Sequence, residues 1–334
     1  MPTRFAINGL GRIGRALLRI AWRRGDLELV AVNDIGTAEQ LGGLLARDSL
    51  HGPFDGEVVA EEDALVIDGR RIAAFQEPQA EKIPWLDLDP QVVVDATGWC
   101  KTRELALAHQ RGGVRKVIVS ANAAGMDLTV CVGVNHQSYD PARHHLLSAS
   151  SCTTNCLGPV VHLLDRRFGL RRAFLNTVHS YNNDQRLLGF PHRDPRRARA
   201  AAINMVPTST SAVQAIGRIL PEMAGRIEGF AVRVPTPNVS LIDLVAELEQ
   251  KPRVEEVNRA FSEAAQRELK GILAVSEEEL VSSDFLGNPH SAIVDLPLTR
   301  QIDRRLYRVV AWYDNEWGHA SRLADLLEQV GRSL

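Results

Sequence analysis

Phe5-Ala6-Ile7-Asn8-Gly9-Leu10-Gly11-Arg12-Ile13-Gly14 carries the first decision about the fold. Phe5 to Asn8 reads as a short buried strand and the glycines as a tight turn. Ala16, Leu17, Leu18, Ile20, Ala21 and Trp22 then follow with roughly helical spacing. Leu29 to Val32 forms the next apolar run, so the order is strand, turn, helix, strand. In that setting a G-x-G-x-x-G lets backbone amides approach a pyrophosphate at a helix N-terminus, because Gly9, Gly11 and Gly14 bring no side chains into the gap. Asp34 lies 20 residues beyond Gly14, at the end of the second strand, where its carboxylate can accept hydrogen bonds from an adenosine ribose. An acid there repels a 2′-phosphate, so NAD is favoured over NADP. A plain glycine turn would account for the loop alone but not for the acid placed after the second strand.

The same texture continues outward. Asp68-Gly69 sits between Ala64-Leu65-Val66-Ile67 and Arg71-Ile72-Ala73 as a hairpin signal. Val92-Val93-Val94-Asp95 reads as a buried strand ending in a loop at Thr97-Gly98, and Val117-Ile118-Val119 repeats the pattern. Strands alternating with helical segments over about the first 150 residues predict an α/β fold with a doubly wound, mostly parallel sheet. After that the pattern changes. Leu157, Val160, Val161 and Leu164 mark a helix, whereas Ala231 to Arg233, Val239 to Leu248 and Leu306 to Tyr313 look like long strands. The expectation is a Rossmann cofactor domain over 1–151, completed by a C-terminal helix over 319–334. An α+β catalytic domain with a large mixed or antiparallel sheet would fill 152–318. Residues 182 to 205 carry many arginines and few apolar residues, which predicts a long ordered loop.

Composition narrows the function classes. The 334 residues are 45% hydrophobic, enough for two cores, and a formal charge of -2 gives no global attraction to nucleic acid or an anionic membrane. Cys100, Cys131, Cys152 and Cys156 are too few for a disulfide framework and lack metal-ligand spacing, so a reducing compartment and no metal are expected. The amino terminus shows no signal-peptide pattern, and no run approaches the ~18 apolar residues of a membrane span. A cytoplasmic protein acting on a small molecule is the expectation.

Ser151-Cys152-Thr153-Thr154-Asn155-Cys156 precedes an apolar helix, which puts Cys152 in its first turn, where free amides and the macrodipole favour a thiolate. A lone cysteine is more often a small buried hydrophobe, but polar neighbours on both sides of Cys152 argue against that use. Cys156, one turn on, reads as structural. His179 ends the run Ala173 to Val178, and its spacing from Cys152 leaves a catalytic and an ordinary histidine equally open. Arg186, Arg193, Arg196, Arg197 and Arg199 suit phosphate or a subunit contact better than nucleic acid, since only Phe190 interleaves them.

With these segments in place, the chain resembles the glyceraldehyde-3-phosphate dehydrogenase family over nearly its whole length. The resemblance rests on Ile7 to Arg15, Ser151 to Cys156, His179-Ser180-Tyr181, Asp194 to Ala202, Arg233 to Ser240 and Trp312 to Gly318. It implies that His179 pairs with Cys152 and works as base and acid on a small phosphorylated aldehyde, which is oxidised through a thioester cleaved by inorganic phosphate. It also implies cofactor contacts from Gly9, Gly11, Arg12, Ile13, Gly14, Asp34 and Thr97, with Asn315 on the nicotinamide carboxamide. Arg233 and Asn182 would hold the substrate phosphate, while Ser151, Thr153, Arg197, Thr210 and Ser211 would hold the attacking phosphate. Pro191 in the family lies in a loop that disfavours NADP, and the family implies a homotetramer.

Five positions depart from the family pattern: Asn182 in place of threonine, Ser211 of glycine, Ala149 of asparagine, Gly189 of aspartate and His319 of tyrosine. Two other readings are carried alongside. One is erythrose-4-phosphate dehydrogenase, which Pro289 to Asp295 resembles somewhat. The other is a catalytically idle RNA-binding or scaffolding homologue.

Overall fold

The computed structural model describes residues 1–334. It forms two compact units, one of Met1–Val130, His136–Ser150 and Ala320–Leu334, the other of Cys131–Asn135 and Ser151–His319.

In the first unit nine strands form one sheet. Their order is Leu128–Thr129, Leu146–Ser148, Lys116–Val119, Val92–Asp95, Thr3–Asn8, Leu27–Asn33, Arg70–Phe75, Ala64–Ile67 and Val58–Ala60. The strands from Leu128–Thr129 to Arg70–Phe75 run parallel, and the last two turn antiparallel at one edge. Phe5, Ile7, Val92, Val93, Val94 and Val117 are fully buried. Coverage on both faces explains why these strands read as continuous apolar runs with no alternation. The hairpin at Asp68 (φ 48) and Gly69 (φ 77) joins Ile67 to Arg70 as expected.

Thr3–Asn8 has Leu27–Asn33 on one side and Val92–Asp95 on the other, so the winding direction reverses beside it. In an open α/β sheet, ligands enter at the carboxyl ends of the strands where this reversal occurs. Gly9 to Gly14 leaves Thr3–Asn8 at that point and opens the helix Arg12–Trp22. The carboxy-terminal segment packs into the same unit: Leu323, Leu326 and Leu327 are buried, and Arg24 reaches Asp325 at 2.8 Å and Glu328 at 3.2 Å.

The second unit holds an eight-stranded mixed sheet. Seven strands run in the order Val206–Thr208, Ile227–Val234, Leu170–Ser180, Ser240–Leu248, Leu306–Tyr313, Ala292–Asp295 and Leu273–Ser276, and Arg300–Asp303 adds onto Leu306–Tyr313. Ser240–Leu248 alternates strictly between buried and partly exposed residues, the mark of a sheet covered on one face only. Ile242, Leu244 and Ala246 face a core shared with Leu157, Val160, Val161 and Leu164 of the helix Cys152–Phe168 and with Val257 and Phe261 of the helix Val254–Gln266. Cys131 is part of this core, which is why residues 131–135 count with the second unit and not with the first. Residues 182–205 form an extended loop with one short turn at Ala201–Ile203, tied across by the Arg186 and Ala200 bridge.

Candidate active site

Ser151 caps the helix Cys152–Phe168, its hydroxyl accepting from the Thr154 amide at 3.2 Å, and Cys152 is the first helical residue. Gly169, at φ 71, then turns the chain back into the strand Leu170–Ser180, which returns toward the start of that helix. Its end carries His179, with Nε2 3.5 Å from Cys152 Sγ. The parallel partner strand places Arg233 beside His179 in register. Arg233 Nη1 donates to the Ser180 carbonyl at 2.9 Å and touches His179 Nδ1.

The imidazole tautomer follows from its neighbours. His179 Nδ1 lies 2.8 Å from the Ser180 carbonyl, which can only accept, so Nδ1 carries the hydrogen and Nε2 turns its lone pair toward the thiol. The Arg233 approach to Nδ1 is then a close side-by-side contact, because both nitrogens donate to one carbonyl. Tyr313 stands edge-on to the His179 ring at 6.0 Å, and its hydroxyl meets Thr153 Oγ1 at 2.9 Å.

Burial pushes the Cys152 thiol up, against the opposing pull of the Arg233 guanidinium and of hydrogen bonds at Thr153. Burial, followed by the Arg233 charge, presses His179 down to about 3. Arg233 and the donors at the helix start thus favour the thiolate, while burial opposes it. His179 Nε2, 3.5 Å from the sulfur, is placed to receive the thiol proton. Cys152 keeps part of its surface open to an incoming molecule, while His179 is buried.

Other residues expected at the site fall into two groups. Asn315 belongs with the dyad: its Oδ1 accepts from Ser180 Oγ at 3.0 Å and Ser240 Oγ at 2.9 Å, which fixes Nδ2 as the donor end of the side chain. Arg197 donates to Thr208 Oγ1 at 2.6 and 2.8 Å and pairs with Asp184. Asn182 is exposed and accepts from the Asp184 amide at 3.1 Å, and Thr210 accepts from the Ala212 amide at 3.3 Å. Ser211 precedes the helix Ala212–Ile219. Asn182 and Thr210 are thus held by neighbouring backbone amides, and Arg197 by Thr208 and Asp184.

Among the departures, Ala149 is buried and Gly189 exposed. His319 is buried with Nδ1 3.1 Å from Asn155 Nδ2, and that amide also donates to the Ser151 carbonyl at 3.1 Å. Sequence reasoning missed the link from Ser180 and Ser240 to Asn315 and the Tyr313 contact. Strand register creates both, and register is invisible before the strands are paired.

In the first unit, a Cβ on Gly14 would fall 2.0 Å from the Gly9 carbonyl oxygen, and one on Gly9 (φ 93) would fall 2.6 Å from the Thr97 amide nitrogen. A Cβ on Gly11 would meet nothing within 4 Å. Gly9 and Gly14 are thus required by packing, whereas Gly11 leaves open space at a concavity of ≈ 770 Å³ lined by Leu10, Gly11, Arg15, Asp34 and Ile35 among others. Asp34 accepts from the Leu10 amide at 2.6 Å, which ties the glycine turn to the acid 24 residues on. Arg12 is held by Asp48 at 2.7 Å, and Ile13 follows it in the first helical turn. Open backbone, a helix N-terminus and an acid at the second strand end are what an adenosine diphosphate moiety requires.

Comparison with known proteins agrees with this geometry. Residues 3–103 match the model for the NAD binding domain of glyceraldehyde 3-phosphate dehydrogenase, and residues 151–315 match that for its C-terminal domain. The chain is 49% identical to glyceraldehyde-3-phosphate dehydrogenase of Geobacillus stearothermophilus over 330 residues, covering 99% of this chain and 98% of the relative. It is 48% identical to glyceraldehyde-3-phosphate dehydrogenase 1 of Bacillus cereus, with 97% of each covered. Against glyceraldehyde-3-phosphate dehydrogenase of Streptomyces coelicolor the identity is 44%, with 100% of each covered. The chain belongs to the glyceraldehyde-3-phosphate dehydrogenase family.

Proposed function

We propose that the protein oxidises glyceraldehyde 3-phosphate with NAD and inorganic phosphate, giving 1,3-bisphosphoglycerate. The observation that carries the reading is Cys152 Sγ, at a helix N-terminus, 3.5 Å from His179 Nε2. His179 takes the thiol proton as sulfur attacks the aldehyde carbon, then returns it to the carbonyl oxygen, leaving a hemithioacetal on Cys152. The Cys152 amide and the His179 Nε2–H are the donors for that oxygen as charge develops on it. NAD, when bound, supplies the acceptor for the hydride that leaves this carbon. His179 removes the hydroxyl proton in the same step, and a thioester remains on Cys152. An oxygen of inorganic phosphate then attacks the thioester carbon, the carbon–sulfur bond breaks, and Cys152 is regenerated.

Gly9, Gly11, Arg12, Ile13, Gly14, Asp34 and Thr97 would hold the cofactor, with the Asn315 amide donating to the nicotinamide carboxamide. Arg233 and Asn182 would bind the substrate phosphate, and Ser151, Thr153, Arg197, Thr210 and Ser211 the inorganic one. Asp34 supports NAD over NADP. The intact Cys152 and His179 pair speaks against an idle scaffold.

A cytoplasmic homotetramer is the assembly we infer. Leu187, Leu188, Phe190, Ile203 and Met205 are all well exposed on one loop, and a surface of that kind is usually covered by a partner. No helix is long and apolar enough to cross a membrane. Light scattering of the purified protein tests the assembly, and a monomer at micromolar concentration would refute it.

The activity test measures reduction of NAD and NADP with glyceraldehyde 3-phosphate and erythrose 4-phosphate, each with and without inorganic phosphate. Fast NADH formation is expected only with NAD, glyceraldehyde 3-phosphate and phosphate together. Phosphate-independent turnover that prefers erythrose 4-phosphate would overturn the reading.

A further inference from the structure

Beneath the glycine turn of the first unit runs a chain of buried polar side chains that the reaction does not touch. His109, Asp95, Asn8 and Asn33 are all buried, at 1%, 2%, 6% and 3% exposure. Trp85 Nε1 donates to His109 Nδ1 at 3.3 Å. An indole nitrogen can only donate, so Nδ1 accepts and the ring hydrogen sits on Nε2. That hydrogen points to Asp95 Oδ2 at 3.1 Å, where Asn8 Nδ2 also donates at 2.8 Å. The other carboxylate oxygen, Oδ1, accepts from the Thr97 amide at 3.1 Å and the Thr97 hydroxyl at 2.7 Å. Asn8 Oδ1 accepts from Asn33 Nδ2 at 2.7 Å, and the Asn33 carbonyl accepts from the Gly9 amide at 2.7 Å.

From Trp85 and His109 this chain leads to two residues assigned above to the cofactor, Thr97 through Asp95 and Gly9 through Asn33. Asp95 folds the Thr97 turn, and the Thr97 backbone presses so closely on Gly9 that no Cβ fits between them. We propose that His109 is a positioning residue for NAD. Fixed in one tautomer by Trp85, it orients the Asp95 carboxylate and thereby sets Thr97 against Gly9 in the geometry that receives the dinucleotide. A histidine without the Trp85 bond could turn its unprotonated nitrogen toward the carboxylate, which would release Asp95 from its fixed angle. The imidazole is ion-paired in geometry with Asp95 at 3.1 Å, and the same carboxylate, after burial, pushes the Cys100 thiol up to about 12.

The inference rests on the NAD reading, and the experiment separates the two. Calorimetric titration of NAD and steady-state kinetics are run on the parent, His109→Leu, His109→Gln and Trp85→Phe. Loss of a buried hydrogen bond to a charged group predicts that His109→Leu raises the Kd and KM for NAD about tenfold, with kcat at saturating NAD within about twofold. Glutamine can donate to Asp95 and accept from Trp85, so His109→Gln should recover to within about threefold of the parent, and Trp85→Phe should fall between. A purely structural role would lower the unfolding temperature without this split between KM and kcat or the rescue by glutamine. A folded His109→Leu that binds NAD like the parent overturns the inference. Should the leucine variant fail to fold, parent-like affinity in Trp85→Phe overturns it instead. A parent that does not bind NAD sinks the cofactor reading itself.

Discussion

Gly9 to Gly14 and the pair Cys152 and His179 differ in how far apart along the chain their parts lie. The nucleotide turn is six consecutive residues whose spacing is its geometry, with one acid added at the end of the next strand. The dyad is assembled from a helix start, a strand end 27 residues later and a neighbouring strand that brings Arg233 into register. The two also handle their polar groups differently. Under the nucleotide turn every member of the chain from Trp85 to Gly9 is bonded to the next, so that region is rigid by design. At the dyad the two reactive atoms, Cys152 Sγ and His179 Nε2, are bonded to each other at 3.5 Å, and that contact is the path the proton takes. The lesson is that a binding surface can be completed by fixed bonds, whereas a reaction centre is built around a bond that must change hands.

The sharpest way to break that contrast is to remove the reactive sulfur. Cys152→Ser should lower aldehyde oxidation by at least about 10³-fold while NAD still binds with parental affinity, because nucleophile and nucleotide turn are separate constructions. A variant that lost both together would show the comparison to be false. Next in size is His179→Asn, with an expected kcat loss of about 10²- to 10⁴-fold. It should also slow alkylation of Cys152 by iodoacetamide near neutral pH and move the midpoint of the alkylation profile upward, since the group that accepts the thiol proton is gone. Unchanged alkylation would mean that Arg233 and the helix terminus activate the sulfur without the imidazole.

On the other side of the comparison, Gly14→Ala forces a methyl against the Gly9 carbonyl. The expected result is NAD binding weakened beyond measurement at millimolar cofactor and about 1–3 kcal/mol lost from unfolding stability. Gly11→Ala, facing open space, should keep the stability and lose affinity alone, so a stability loss in that variant would contradict the open-space reading.

These two regions were not equally legible in the sequence. The strand, glycine turn, helix and Asp34 could be read directly because each is local, and so could the Asp68-Gly69 hairpin and the C-terminal helix. Placing His179 beside Cys152 needed the family resemblance, since nothing in Ala173 to Val178 says which residue the strand end will meet. The surroundings of Cys152 were legible only in part: a helix start is visible in sequence, but the burial that opposes a thiolate there is not. The chain through His109 was overlooked although a signal existed. Phe5 to Asn8, Leu29 to Asn33 and Val92 to Asp95 are three apolar runs that each end in a polar residue, and such residues at adjacent strand ends are placed to partner one another.

Asp48 offers the smallest and most specific test of how the nucleotide region holds its buried charges. It is buried and accepts from the Leu50 amide at 2.9 Å, the His51 amide at 3.0 Å, Arg12 at 2.7 Å and Arg15 at 3.4 Å. Desolvation acts to raise its pKa, but the amide donors and the Arg12 guanidinium outweigh it and hold the carboxyl well below the usual range. A carboxyl whose folded value lies below its unfolded one contributes its full stability above the ordinary value of about 4 and loses it as the pH falls further. Asp48→Asn should therefore cost about 1–3 kcal/mol at pH 7, with the difference from the parent shrinking as the pH is taken below about 4. Urea unfolding at pH 7 and pH 3.5 measures both quantities. A difference that stayed constant between the two pH values would mean that Asp48 acts through its shape and not its charge, and that Arg12 is held by something else.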